Sequence, residues 1–217
     1  MSRTHIFKTI EMTPVAVQQA ARALDEGAVA VLPTDTVYGI GTGAFCEKSI
    51  QEIYRIKERP ANSPLQILTG TADQARRVAV FSPGAERLAA AYWPGALTAI
   101  LPPTEAGRPL TRGFAGLGLR VPGNVFLTGL LSQMQNPMAC TSANLHGQPV
   151  ITEENTLLET FDGKVDFIFL GGSLSPVASS VVDLTGPQAV LLREGAIPRL
   201  ALEKHLGAPL RTKEEAV

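Results

Sequence analysis

Residues 28–41, AVAVLPTDTVYGIG, are the stretch that decides the fold. The stretch begins with five apolar residues that predict a short buried strand, which Pro33 ends because proline has no N–H to donate to a sheet. Two hydroxyls, a carboxylate and a phenol follow, and glycines then occupy every second position from 39 to 43. Open α/β sheets bind ligands beyond the carboxyl ends of their strands, and glycines let the backbone approach a ligand closely. The stretch therefore predicts a small-ligand site, whereas a purely structural Thr or Asx turn would explain Pro33 and one hydroxyl only.

Two cations further along the chain are candidates for the same site. Residues 47–55 carry apolar side chains at helical spacing, and the helix is expected to end near Pro60. Lys57 and Arg59 then lie at the helix end, where cations also complement the helix dipole. On the return leg of a β–α–β unit they can face the same crevice as the first cluster. Both interpretations stay open from the residues alone.

The rest of the chain predicts a mixed α/β fold. Helix starts are expected at Thr13-Pro14, Thr71, Ser82-Pro83 and Asn124, whose side chains can cap a first turn, and further helices at Thr152 and Pro198. Strands are expected at 65–68, 96–101, 117–121, 138–140, 165–170, 180–184 and 190–192. The signals alternate early and crowd into short strands later, which favours a mixed sheet over a purely parallel one. The charged, small residues 208–217 are expected to fray.

Composition excludes several classes of protein. The length of 217 residues favours one domain, and 45% hydrophobic residues suffice for a sizeable core. A net charge of −1 and a pI of about 6.3 provide no global basic field for nucleic acid. Cys46 and Cys140 follow no metal-ligand spacing, so free thiols in a reducing compartment are expected. We find no apolar leader or membrane-length segment and expect a soluble, cytoplasmic protein without a protein-held metal.

Neither standard phosphate-binding fingerprint is present, so motifs alone do not name a nucleotide. Four cations nevertheless lie beside turns or strand ends, namely Lys57, Arg59, Arg120 and Arg193. Arginine forks suit carboxylates and phosphates, whereas lysine acts as a point charge. The four positions therefore indicate an anionic ligand.

Several motifs in order carry a resemblance to a known family. Besides the two clusters above, they are Pro94-Gly95-Ala96-Leu97-Thr98, Leu119-Arg120-Val121-Pro122, Thr141-Ser142-Ala143-Asn144, Ser179-Ser180-Val181-Val182-Asp183 and Leu192-Arg193-Glu194-Gly195. Each motif is weak alone, but their common order is specific. Over most of its length the chain resembles the YrdC-type threonylcarbamoyl-AMP synthases.

The resemblance implies one twisted α/β domain over residues 1–207, with a mixed sheet around a concave, positively lined cavity and a tail at 208–217. It implies an enzyme that condenses L-threonine, bicarbonate or CO2, and ATP into threonylcarbamoyl-adenylate and pyrophosphate, for the threonylcarbamoyladenosine modification of tRNA. Mg²⁺ would arrive with ATP, and a separate transferase complex would pass the intermediate to tRNA. The short segment after Arg193 is similar to the single-domain form of the family.

The resemblance also implies roles for individual residues. Threonine contacts are expected at Thr34, Thr36, Tyr38, Arg120 and Ser179. Lys57 and Arg59 are expected to face the triphosphate as catalytic and nucleotide-binding residues. Further nucleotide contacts are expected at Ser63, Thr141, Ser142, Asn144 and Arg193. Asp35 is expected to stabilise the turn rather than act as a base.

Three positions depart from the family pattern. Ser63, with Asn62 before it, stands where many members have Asn ahead of Pro64-Leu65. Leu68 stands where many have a histidine, which removes one candidate contact to threonine or carbamate. Ala178-Ser179-Ser180 replaces Pro-Ser-Thr and keeps both hydroxyls.

Three alternatives remain beside this interpretation. A protein of the same fold could bind a nucleotide or double-stranded RNA without synthase activity, although this chain keeps the Lys/Arg pair and the Ser-Ala-Asn loop. The pI gives RNA binding little support and leaves only weak, direct binding open. A carbamoyl-transfer module of hydrogenase maturation would carry zinc-finger segments, which two distant cysteines cannot form. A domain whose polar turns are only structural leaves the ordered motifs unexplained.

Overall fold

The computed structural model describes residues 3–60, 63–174 and 177–216. Its strands are β1 (His5–Lys8), β2 (Ala30–Leu32), β3 (Gly39–Gly43), β4 (Gln66–Leu68), β5 (Leu97–Leu101), β6 (Leu117–Arg120), β7 (Met138–Ser142), β8 (Phe167–Leu170), β9 (Ser180–Asp183), β10 (Val190–Arg193) and β11 (Arg211–Thr212). Its α-helices are α1 (Pro14–Asp25), α2 (Glu47–Ile56), α3 (Ala72–Val78), α4 (Pro83–Tyr92), α5 (Val125–Gln133), α6 (Glu154–Phe161) and α7 (Arg199–Leu206). Short 3-10 turns lie at Thr9–Glu11, Arg108–Thr111 and Glu214–Ala216. Within the described ranges no helix combines the length and apolar character that a bilayer crossing requires.

The strands form one mixed sheet in the order β1-β8-β2-β3-β7-β4-β6-β5-β9-β10-β11. The sheet contains parallel pairs such as β4 with β6 and antiparallel pairs such as β3 with β7. Because β3 and β4 both run antiparallel to β7, they are parallel to each other, and α2 is the crossover between them. The predicted mixed sheet is therefore confirmed, whereas the β–α–β unit around Lys57 starts from β3 and not from the strand predicted at 28–32. The polar turn after Pro33 joins β2 to β3 and not a strand to a helix.

Side-chain caps begin the helices whose starts the sequence predicts. The hydroxyls of Thr13, Thr71 and Ser82 accept the backbone N–H three residues later, and so does the side-chain oxygen of Asn124. These bonds satisfy N–H groups that a first helical turn leaves without partners. The four predicted starts are confirmed.

The alternating glycines have a different role from the one the sequence suggests. Residues 39–43 form β3, which is buried along its whole length between β2 and β7. A Cβ at Gly43 would lie 2.6 Å from the carbonyl oxygen of Leu24 in α1, and one at Gly39 would lie 2.7 Å from Sγ of Cys140. The glycines thus bring a helix and a neighbouring strand close to the backbone of β3. The expectation that they approach a ligand is wrong.

The sheet carries helices on both faces, but one face is covered only in part. Helices α1 and α5 pack on the half that contains β2 and β8, around Leu24, Leu32, Leu127 and Phe169. The opposite face packs against residues of α2, α3, α4, α6 and α7. Residues opposite one another on neighbouring strands point to the same face. The cross-strand row that continues from the α1/α5 half to the open half is Cys140, Gln66, Gly118, Ile100 and Asp183.

The C-terminal segment corrects another expectation. Leu210 is only 2% exposed, and Arg211–Thr212 pairs in parallel with β10. A guanidinium N–H of Arg199 in α7 donates to the carbonyl of Leu210. Fraying was expected of residues 208–217 from their charged composition, but the buried leucine and the sheet pairing hold residues 210–212 in place.

Candidate active site

A cavity of about 720 Å³ opens on the uncovered part of the sheet. Its floor includes Gln66, Gly118 and Ile100 of the cross-strand row. The cations that line it are Lys57, Arg59, Arg112, Arg120 and Arg193. Among the described residues, Asp183 is the only carboxylate in its lining. The cavity is therefore suited to a polyanionic ligand, in line with the positive lining expected from the sequence.

Arg120, at the end of β6, holds one corner of the cavity and is 3% exposed. Its Nε donates to the carbonyl of Gly95 at 3.0 Å, its Nη1 to Oγ1 of Thr36 at 3.1 Å, and its Nη2 to Oδ1 of Asp35 at 2.6 Å. Asp35 is exposed as a whole residue, but its side chain is only 17% exposed, so the exposed surface belongs mainly to its backbone. A guanidinium carries five N–H groups, so two remain for an anion at this corner. Asp35 is thus the counter-ion of Arg120, which adds to its expected role in the turn.

The two threonines of the first cluster are joined by a hydrogen bond. The hydroxyl of Thr34 donates to the carbonyl of Val37 at 2.7 Å, accepts the N–H groups of Thr36 and Val37 at 3.0 and 3.1 Å, and lies 2.9 Å from Oγ1 of Thr36. Either hydroxyl can be the donor in the contact between the two threonines. Oγ1 of Thr36 also accepts from Arg120, so the Thr36 hydroxyl keeps either its proton or one lone pair for a ligand in the cavity. Thr36 lines the cavity, whereas Thr34 lies behind it and orients Thr36.

Tyr38 does not line the cavity. It is buried in the core beside Ile40 and Ile53. Its hydroxyl donates to the carbonyl of Gly172 at 2.8 Å and accepts the N–H of Gly171 at 2.9 Å. Burial raises the pKa of this phenol. The structure therefore places Tyr38 as a support of the turn, and the direct threonine contact expected of it is not found in this geometry.

A second polar network lies on β5 and β9. Gln66 donates to Oγ1 of Thr98, which lies 2.9 Å from Oγ of Ser179. Arg193 donates to Oγ and to the carbonyl oxygen of Ser179 at 3.0 and 2.9 Å. The two hydroxyls share one proton between them, so the other is free to donate to a ligand oxygen. Burial and the nearby Arg120 lower the pKa of Arg193.

Lys57 caps the end of α2 and is 2% exposed. Its ammonium donates to the carbonyl oxygens of Ser142 and Asn144 and lies 3.4 Å from Oδ1 of Asn144. Its own carbonyl accepts the N–H of His146 at 2.9 Å. Burial, and secondarily Arg59, lower the pKa of Lys57 to about 8. Lys57 thus fastens the loop after β7 to α2 at the cavity wall.

A left-handed residue turns Arg59 towards the cavity. Glu58 has a φ of 53°, and the N–H of Arg59 bonds to the carbonyl of Tyr54 at 2.9 Å. This is a helix C-terminal motif that usually carries glycine. The guanidinium donates to Oγ1 of Thr141 at 2.5 Å and to the carbonyl of Pro64 at 3.0 Å. Burial lowers the pKa of Arg59.

The remaining expected nucleotide contacts also come together here. Ser63, Thr141, Ser142 and Asn144 line the cavity beside Lys57 and Arg59. Leu68 instead lies in the core beneath α5, so its side chain is outside the cavity lining. Asn62 lies outside the described residues.

Several residues that line the cavity were not expected from the sequence, among them Gln66, Thr98, Arg112 and Asp183. Thr98 and Asp183 belong to two of the motifs that carry the family resemblance, which implies no role for either residue. Arg112 pairs with Glu47 at 2.6 and 3.1 Å and lies over the ring of Tyr54 at 5.7 Å. No local pattern signals this contact, because it joins a loop to a helix 65 residues away.

Residues 22–195 match the family model Sua5/YciO/YrdC, which is described as telomere recombination. The chain belongs to this family. It is 38% identical over 191 residues to the threonylcarbamoyl-AMP synthase of Pyrococcus abyssi, a match that covers 87% of this chain and 56% of that protein. The chain thus spans little more than half the length of this relative.

Two further comparisons place the chain within the Sua5/YciO/YrdC family. A putative threonylcarbamoyl-AMP synthase of Mycobacterium tuberculosis is 30% identical over 210 residues, which are 95% of this chain and 96% of that protein. The crystal structure of P. abyssi Sua5 complexed with L-threonine has a TM-score of 0.88 at 35% identity. That superposition covers 96% of this chain and 62% of the solved one. The family expected from the motifs and its mixed α/β fold are confirmed.

Proposed function

We propose that this chain is a threonylcarbamoyl-AMP synthase. It would condense L-threonine, bicarbonate or CO2, and ATP into threonylcarbamoyl-adenylate and pyrophosphate. The observation that carries the proposal is that the cations Lys57, Arg59, Arg120 and Arg193 meet in one cavity together with Thr36 and Ser179. The threonine complex of P. abyssi Sua5 supports the choice of amino acid.

The corner around Arg120 suits threonine. The two N–H groups that Arg120 has left can bind the substrate carboxylate as a pair. The Thr36 hydroxyl can bind the substrate amine or hydroxyl with the proton or lone pair that Thr34 and Arg120 leave free. The free proton of the Thr98–Ser179 pair can bind a substrate oxygen. Donors and acceptors at this corner thus complement an amino acid with a hydroxyl.

The nucleotide would lie with its phosphates near Lys57, Arg59 and Arg193. Arginine and lysine donors match phosphate oxygens. Two N–H groups of Lys57 are held by loop carbonyls, and the third, which lies 3.4 Å from Oδ1 of Asn144, is the one that a phosphate would take from the loop. Nucleotide binding is therefore coupled to the loop that carries Ser142 and Asn144.

The reaction needs positioning more than a protein nucleophile. The threonine amine loses a proton and adds CO2 to form a carbamate. A carbamate oxygen then bonds to the α-phosphorus of ATP, while the bond to the β-phosphate breaks and pyrophosphate leaves with its electron pair. The cations hold the reacting groups in line and stabilise charge on pyrophosphate.

Mg²⁺ enters this proposal as part of the nucleotide substrate. In the described ranges there is no group of three or more His, Cys, Asp or Glu side chains arranged to hold a metal ion. The cavity lining fits a Mg²⁺ whose ligands are mainly phosphate oxygens and water, which is how Mg²⁺ is often held in nucleotide sites.

We propose that the product serves the threonylcarbamoyladenosine modification of tRNA in the cytoplasm, through a separate transferase complex. The net charge of −1 gives this chain little attraction for RNA, so direct RNA contact would be weak.

The test is to incubate the protein with Mg-ATP, threonine and isotopically labelled bicarbonate and to detect the adduct by mass spectrometry. We expect threonylcarbamoyl-AMP carrying the label, and none when threonine, bicarbonate or ATP is left out. ATP binding or turnover that is indifferent to threonine and bicarbonate would overturn the proposal. It would favour a nucleotide-binding protein of the same fold without synthase activity.

A further inference from the structure

Asp183, at the end of β9, is an oriented carboxylate in a cavity otherwise lined by cations. Its Oδ1 accepts the backbone N–H of Thr185 at 2.9 Å and the hydroxyl of Thr185 at 2.7 Å. No donor from the described residues bonds to its Oδ2. Asp183 thus presents a single charged acceptor to the cavity, held in a fixed orientation.

The surroundings of Asp183 are apolar. Ile100 lies opposite it on β5, and Val181 precedes it on the same face of β9. Phe114, which is 40% exposed, lines the same cavity. Flat apolar groups bind well against aliphatic and aromatic side chains. The combination of a charged acceptor and an apolar wall fits a ligand part that has hydroxyls and a planar ring, and it disfavours a phosphate.

The order of groups along β9 supports this assignment. Ser179 and Asp183 point to the same face, and four residues of strand separate them by about 13 Å. Arg193 lies between them, because it pairs with Val181 and directs its guanidinium to Ser179. The sequence of hydroxyl, cation and carboxylate matches an acyl-adenylate, in which a phosphate separates the amino-acid part from the ribose.

We propose that Asp183 accepts hydrogen bonds from the ribose hydroxyls of the nucleotide. Ile100, Val181 and Phe114 form the wall against which the base lies. The proposal rests on the proposed function and names the part of its substrate that this end of the cavity binds.

The test compares the binding of Mg-ATP, 2′-deoxy-ATP and 3′-deoxy-ATP by calorimetry. A hydrogen bond to a charged acceptor corresponds to about ten- to a hundredfold in affinity. The wild-type chain should therefore prefer ATP by that factor over at least one deoxynucleotide. Asp183→Asn should reduce this preference to about threefold or less, since a neutral acceptor bonds less strongly. Asp162→Asn removes an exposed carboxylate elsewhere and should leave the preference unchanged.

Three results would overturn the proposal. The first is equal binding of all three nucleotides by the wild type, and the second is an undiminished preference for ATP in Asp183→Asn. The third is that raised Mg²⁺ restores nucleotide binding by Asp183→Asn, which would make Asp183 a metal ligand. Should Asp183→Asn not fold, Thr185→Val removes one of the two hydrogen bonds that orient the carboxylate and should lower the preference part of the way. A clear ribose preference without any threonine-dependent adduct would instead refute the synthase activity and leave this subsite standing.

Discussion

The lowered pKa of Lys57 predicts how nucleotide affinity depends on pH. The free protein has a Lys57 pKa of about 8 because the ammonium is buried and lies near Arg59. A bound triphosphate favours the charged form and raises this pKa, so binding takes up a proton. Affinity is then fully present below pH 8 and is lost as the pH rises through that value. With nine-tenths of Lys57 charged at about pH 7 and one-tenth at about pH 9, the affinity for Mg-ATP should fall about tenfold, or about 1.4 kcal/mol.

Calorimetry in two buffers of different ionisation enthalpy measures this proton directly. At pH 8 the wild type should take up about half a proton per nucleotide, because half of Lys57 is then neutral. Lys57→Met should bind more weakly, with a flat profile and no uptake. Lys48→Met, on the exposed side of the same helix, should behave as the wild type. An affinity that does not change between pH 7 and pH 9, or proton uptake that persists in Lys57→Met, would refute the reasoning.

Three further predictions concern Arg120, Thr36 and Glu58. Arg120→Met should cost about 3 kcal/mol of unfolding free energy, because it leaves the Asp35 carboxylate without its counter-ion. Adding Asp35→Asn to this variant should recover part of the loss in urea titrations, and the absence of any recovery would contradict the ion pair. Thr36→Val should weaken calorimetric threonine binding and spare ATP, whereas equal losses would indicate a collapsed cavity. Glu58→Gly should add about 1 kcal/mol of stability by relieving the left-handed backbone. Glu58→Ala keeps that strain, so an equal gain there would refute it.

Helix starts and cation positions were predictable because they depend on short-range rules. Thr13 and Asn124 cap their helices through hydrogen bonds to residues three positions on, which any sequence window contains. Arg120 and Arg193 reach one cavity because each is the last residue of a strand of the same sheet. The order of the motifs along the chain therefore indicated that these two arginines belong to one site.

Long-range contacts explain what the sequence did not reveal. A glycine-rich stretch is compatible with a loop or a strand. Residues 39–43 form a strand because Leu24 and Cys140 pack closely against their backbone. Tyr38 stands in a polar cluster of the sequence, yet its hydroxyl forms hydrogen bonds with the backbone of a loop more than a hundred residues later. The burial of Leu210 depends on its contacts with α7 and β10, which the local sequence does not show, so the sequence assigned this residue to a tail.

The crowding of positive charge around the cavity has a consequence for the empty protein. Burial first and Arg59 second lower the pKa of Lys57, and burial first and Arg120 second lower the pKa of Arg193. The second cause in each pair is repulsion between cations across the site. The only carboxylate in the described lining, Asp183, lies at one end. The unliganded molecule is therefore electrostatically frustrated at its own binding site, as functional sites commonly are. Chloride, phosphate and other anions of the medium relieve that repulsion, and they compete with any ligand the cavity is built to hold.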